Sequence, residues 1–199
     1  MKRNADQTRE RLLEAAHYEI HRKGFQAASL TDILSRAGLT KGAMYHHFAN
    51  KKALGYAVVE ERIKLDMEEV LLRPLKENVH FIDGFHQSLK DGSELHGEDL
   101  VTLGCPLNNL AQEMSLIDEG FRLRLDAVFR WWRDRMAEGF RQAQKRGEVR
   151  REIDPEKTAI FIQASMEGCV SIAKNAQSRE IFQNCLTSLS DYLNTLRAT

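Results

Sequence analysis

Apolar residues recur along this chain about every 3.6 positions and almost never alternate, so the pattern predicts an all-α fold. A first helix is expected over about residues 6–23, with Leu13, Ala16 and Ile20 inward and Gly24-Phe25 ending it. Leu30, Ile33, Leu34 and Ala37 then stand at i, i+3, i+4 and i+7, one apolar stripe on a second, short helix. Ser29 followed by Asp32 reads as a capping box at its start. Gly38 suits the left-handed residue at its end. Thr40 caps a third helix, Lys41-Gly-Ala-Met-Tyr-His-His, which packs mainly through Met44 and Phe48. Asn50 caps a long helix reaching about Leu72, where Pro74 interrupts. Beyond it the pattern predicts a helix over 78–91, a polar loop over 91–99, a short helix from Pro106 to about Ser115, and a long one over 118–146 closed by Gly147. Asp154-Pro155-Glu156 opens a helix to about Ala176, and the last helix spans about 178–197.

The pair of helices over 29–48 has the geometry of a DNA-reading helix-turn-helix. Its second helix is poor in apolar bulk. Lysine and two tiny residues at its start let the backbone come close to another surface, and Lys41, Tyr45 and His47 offer donors to phosphates or base edges. Capped helices joined by a glycine turn also occur as pure packing devices, so the motif alone leaves both readings open.

Charge weighs on that choice. The net charge is zero, yet residues 1–52 carry ten Lys and Arg against five acids, leaving +5 at this end and −5 over the rest. A basic head on an acidic body suits a protein that sets only its head on a polyanion. No apolar run approaches the ~18–20 residues that span a bilayer, and the first ten residues lack the apolar region of a secretory signal. Cys105, Cys169 and Cys185 are odd in number and widely spaced, without zinc-type pairing. A cytoplasmic protein with reduced thiols and no membrane partner is expected.

Several motifs together carry a family resemblance. Thr8-Arg-Glu-Arg-Leu-Leu-Glu-Ala-Ala16, Gly24-Phe25, Leu30-Thr-Asp-Ile33, Ala37-Gly-Leu-Thr-Lys-Gly-Ala-Met-Tyr-His-His-Phe48 and Asn50-Lys-Lys-Ala-Leu54 resemble the TetR/AcrR family of transcriptional regulators. The resemblance is specific over about residues 8–56; beyond that it is one of length and helical layout. It implies a DNA-binding domain over 1–50 and a helical effector-binding and dimerisation domain over 51–199, acting as a ligand-released repressor on palindromic operator DNA. Carried over residue by residue, Thr31 and Thr40 would meet phosphates or neighbouring bases. Lys41, Gly42 and Ala43 would face base edges, with Lys41 suited to guanine O6 and N7. Tyr45, His47 and Lys51 would contact the phosphate backbone. His46 departs from the aromatic residue often found at its position, and its role stays open.

The body offers less. The helix over 155–176 is apolar on most sides and must be covered on several faces. The two terminal helices, paired with the same two from a second chain, would form a four-helix bundle across a two-fold axis, a homodimer. A monomer whose own core fills both sides is the alternative. Phe81, Phe85, Leu107, Phe121, Trp131 and Phe161 are candidates to line a pocket for a small apolar or aromatic effector, though such residues also serve as plain core. Cys105, just ahead of a helix, is a candidate electrophile or redox sensor, or simply a small residue at a tight entry; Cys169 and Cys185 read as inert core. His17 and His21 lie one turn apart without a carboxylate or thiol to complete a metal shell. No nucleophile motif or phosphate-binding glycine loop is present, so neither an enzyme nor a cofactor is expected.

Overall fold

A computed structural model of the protein describes residues 2–198. The helices are α1 (Lys2–Ala27), α2 (Leu30–Ala37), α3 (Lys41–His47), α4 (Lys51–Ala57), α5 (Lys64–Met67), α6 (Arg73–Glu77), α7 (Phe81–Thr102), α8 (Pro106–Met114), α9 (Glu119–Lys145), α10 (Pro155–Ala176) and α11 (Arg179–Thr195). The described residues form no strand beyond one isolated antiparallel bridge between Val149 and Arg197. They divide into two compact units. One comprises the residues through Leu65 with Pro106–Val128; the other comprises Asp66–Cys105 and the residues from Phe129 onward.

In the first unit α1 buries Leu12, Leu13, Ala16 and Ile20, a broader stripe than the three inward positions expected. Its helical path breaks at Gly24, where φ is 80°. Only glycine takes that conformation freely. The capping signals at both ends of the next helix are realised. The Ser29 hydroxyl accepts the Asp32 N–H at 3.0 Å, and Gly38 ends α2 in the left-handed region. Phe121 of α9 meets Phe25 and Tyr56 edge-on, with ring centroids 4.6 and 4.9 Å away, and closes the core of this unit.

The segment after Asn50 departs from the single helix expected to Leu72. Two π-helical stretches, Val58–Ile63 and Glu68–Leu72, interrupt the α-helical ladder, and Pro74 sits in the first turn of α6 rather than ending the helix. Proline is tolerated there because the first N–H groups of a helix have no intrahelical partner.

In the second unit the polar loop expected over 91–99 is instead the C-terminal half of α7. Tertiary packing overrides the poor propensity of its glycines and polar residues. Gly97 is buried with a Phe182 ring carbon 3.8 Å from where its Cβ would stand, and Ser93 accepts a hydrogen bond from Gln183 at 3.1 Å. Glu148, just after Gly147 closes α9, accepts the Phe81 N–H at 3.0 Å and so completes the start of α7, which has no side-chain cap of its own. Asp154 caps α10 through the N–H groups of Glu156 and Lys157, at 3.0 and 3.1 Å.

α10 has two apolar faces. Ala159, Ile162 and Ala173 are buried in the chain, whereas Ile160 (54%), Phe161 (52%) and Ile172 (59%) remain more than half exposed.

Candidate nucleic-acid interface

The third helix expected from the sequence is α3, and its construction is spare. Thr40 caps it, its hydroxyl accepting the Ala43 N–H at 3.3 Å. Met44 is its one buried side chain, and Phe48, just past its end, is buried as well. Lys41, Gly42, Tyr45 and His46 are exposed, with 54% of Tyr45 open to solvent; Ala43 and His47 are half-buried. A Cβ built on Gly42 would meet nothing closer than its neighbour Thr40 at 3.8 Å, so the start of α3 presents bare backbone. Thr31, in the first turn of α2, and Thr40 are exposed beside it in sequence order.

α2 is held on α1 by charge. Glu19 of α1 is buried and accepts both Lys23 at 2.8 Å and Arg36 at 2.9 Å. These two partners hold its carboxyl below the usual carboxylate range. The Arg36 guanidinium lies over the Tyr18 ring, 3.2 Å from its centroid, and Arg11 donates to the Ala37 carbonyl at 2.5 Å. Arginine's planar fork suits both uses, stacking and multiple donation.

Lys51 is placed differently from its neighbours in this set. Its ammonium donates to the Gln26 carbonyl at 3.2 Å and lies over the Phe25 ring at 4.6 Å. Burial pushes its pKa down. In this conformation it supports the turn after Gly24. Sequence reading missed the residue that works with it: Glu113 of α8 accepts the N–H groups of Phe25 and Gln26, at 2.7 and 2.8 Å. No local signal marks a carboxylate that caps a turn almost ninety residues away.

The six candidate pocket residues are divided between the two units. Leu107 and Phe121 are fully buried in the first unit. In the second, Phe81 and Phe85 are buried together edge-on at 5.1 Å, Trp131 is half-buried, and Phe161 lies exposed against Tyr192 at 4.9 Å. Of the six, Phe81 lines a cavity of about 520 Å³, together with Leu72, Leu75, Arg135, Gly139 and Arg146. Cys105 directly precedes α8, and its thiol donates to Glu167 Oε1 at 3.3 Å. The other carboxylate oxygen of Glu167 is buried without a hydrogen-bond partner, and burial raises its pKa to about 7. The His17 and His21 rings stack 6.0 Å apart, and no group of three or more metal-ligating side chains gathers among the described residues.

Two family models cover most of this architecture. The model for bacterial regulatory proteins of the tetR family matches residues 12–58, and one for the tetracycline-repressor-like C-terminal domain matches residues 82–189. The chain is 31% identical over 173 residues to the transcriptional regulator AcuR of Cereibacter sphaeroides, covering 82% of this chain and 74% of that one. It is 25% identical over 192 residues to the transcriptional repressor DhaR of a Mycobacterium species, covering 93% and 91%. The crystal structure of a TetR transcriptional regulator from Chloroflexus aurantiacus superposes with a TM-score of 0.85 at 27% identity, over 99% of this chain and all of that one. No helix of the described residues is long and apolar enough to cross a membrane. With a capped, exposed α3 at one end and a helical C-terminal region matched over more than half the chain, the protein belongs to the TetR family of DNA-binding transcriptional regulators.

Proposed function

We propose that this regulator is a cytoplasmic homodimeric repressor that sits on a palindromic operator and leaves it when a small apolar or aromatic effector binds. The observation that carries the DNA half is α3, a helix with one buried side chain and an exposed start. Lys41, Gly42 and Ala43 face base edges, with Lys41 donating to guanine O6 and N7. Thr31, Thr40, Tyr45 and His47 hold phosphates and fix the register. Lys51 steadies the backbone behind them and offers its remaining donors to a phosphate. Residues 1–50 are the DNA-binding domain and residues 51–199 serve the effector and the dimer. Repression follows the name of DhaR, a transcriptional repressor.

The apolar positions Ile160, Phe161 and Ile172 on α10 support the dimer, since a second copy would remove them from water. The cavity beside Phe81 supports the effector reading, its volume falling within the ~300–1,000 Å³ typical of small-molecule sites. Release requires the effector to favour a state with the two reading heads away from the ~34–36 Å spacing of successive major grooves. The segment Lys51–Leu72 is the lever, and its two π-helical stretches are places where a helix can take up a shift.

A second reading has one specific observation in its favour. Capture of an electrophile by Cys105 would replace effector binding, with Glu167, its carboxyl near 7 and 3.3 Å from the sulfur, taking the thiol proton. Cys105→Ser should then abolish the response to electrophiles and leave operator affinity intact; a surviving response removes this reading.

Selection of bound duplexes from a random pool, followed by salt titration of the winner, tests the main reading. An enriched palindrome whose binding falls steeply with salt is expected, weakened by Lys41→Ala and by Tyr45→Phe. Sequence-indifferent binding with no enrichment would sink it.

A further inference from the structure

α10 and α11 run antiparallel from a turn at Gln177 and Ser178. Gln177 is left-handed, with φ at 48°, and the N–H groups of Gln177 and Ser178 return to the carbonyls of Lys174 and Ala173 at 3.1 Å. The chain therefore reverses within two residues, and positions equally far from the turn come to lie opposite each other. Cys169 stands eight residues before Gln177, and Cys185 stands eight after it.

Packing nearer the turn shows which faces meet. Ala173 and Val170 of α10 pack with Phe182, Ile181 and Leu186 of α11. Cys169 is one helical turn from Ala173, and Cys185 is one turn from Ile181, so both thiols continue the same seam. Both are half-buried and neither is in a disulfide. The two side chains interact with each other across that seam. Packed helices have axes ~8–10 Å apart and Cα radii of ~2.3 Å, which brings facing Cα atoms to the separations a disulfide spans, ~4.4–6.8 Å.

We propose that Cys169 and Cys185 form an oxidation site, a thiol pair that closes to an intramolecular disulfide between α10 and α11 on meeting a hydroperoxide. Burial and the neighbouring sulfur hold the Cys169 thiol well above the ordinary thiol range, so Cys169 keeps its proton and the Cys185 sulfur attacks. The Cys185 thiolate takes the terminal oxygen of the peroxide; the O–O bond breaks, and the other oxygen leaves as water or an alcohol with the proton shed by Cys185. The product is a sulfenic acid at Cys185. The Cys169 sulfur then attacks the sulfenic sulfur. The S–S bond forms, the S–O bond breaks, and hydroxide leaves as water with the Cys169 proton. Two thiols are thereby oxidised by two electrons, and one peroxide is reduced.

The test uses full-length Cys105→Ser protein, whose only thiols are this pair, reduced and then given equimolar hydrogen peroxide. Expected are loss of both titratable thiols, an intact mass lower by two hydrogen atoms, monomer mobility on a non-reducing denaturing gel, and full reversal by dithiothreitol. Cys169→Ser or Cys185→Ser added to that background should abolish all four. Retained thiols, a sulfinic acid without a cross-link, or a disulfide joining two chains would overturn the proposal. Peptide mapping of the unsubstituted protein guards against a misfolded variant. A Cys169–Cys185 peptide supports the site, and a cross-link to Cys105 in its place refutes it.

Discussion

The Glu113 carboxylate accepts the backbone N–H of Phe25 at 2.7 Å, joining α8 to the turn that follows Gly24. The same carboxylate accepts the Gln26 N–H at 2.8 Å, and a Cβ on Gly24 would stand 2.8 Å from its Oε2. The turn leading into α2 and α3 is thus moulded around one side chain, and glycine is required at 24 both for its φ and for room.

Removing that carboxylate leaves two backbone donors without their partner. Glu113→Ala is expected to cost about 1–3 kcal/mol in urea unfolding and to weaken operator binding. Glu113→Gln, with a single acceptor oxygen, should fall between it and the parent. Equal stability of all three would show that water replaces the carboxylate.

Asp118 gathers three donors: the Tyr56 hydroxyl at 2.6 Å, the Phe121 N–H at 2.9 Å and the Lys52 ammonium at 3.2 Å. They lower its pKa to about 2. A carboxylate depressed in the folded state contributes stability that is present above its unfolded pKa, ~3.9, and is lost as pH falls through the folded value. Asp118→Asn should therefore melt lower than the parent at pH 7, and the gap should narrow between pH 4 and pH 2. A gap independent of pH across that window would contradict the assignment.

Glu167 has the opposite sign. Its carboxyl is raised to about 7 by burial, so between its unfolded pKa, ~4.3, and 7 the folded chain holds a proton that the unfolded chain releases. Stability then falls as pH rises through that window. Glu167→Gln removes the penalty and can still accept the Cys105 thiol. The variant should match the parent near pH 4.5 and exceed it by up to about 3 kcal/mol above pH 7. Thermal melts at both pH values decide the matter, and a variant less stable at pH 8 would exclude it.

Gly139, facing the Phe81 ring from α9, leaves no room for a Cβ. Alanine in a helix interior normally gains about 0.5–1 kcal/mol over glycine. Here the ring would have to move, and Gly139→Ala should instead cost about 1–3 kcal/mol. Because both residues line the cavity of about 520 Å³, binding of a hydrophobic dye there should change as well. Denaturant midpoints and dye titration check the two effects.

The local sequence determined whatever rests on contacts within one or two turns. The caps at Ser29, Thr40, Asn50 and Asp154 and the left-handed Gly38 need only neighbours two to five residues away, so the helix-turn-helix and the limits of α8, α9 and α10 were legible. Tertiary structure decided the rest. The stretch 91–99 is helical because α7 packs against α11, although its own composition argues for a loop. Leu107 and Phe121 became core and Phe161 became surface, since periodicity tells that a face is apolar but not what covers it. Glu113 reached a turn far back in the sequence, and Cys169 met Cys185 across a hairpin, because side chains distant in sequence share a site only when packing brings their elements together.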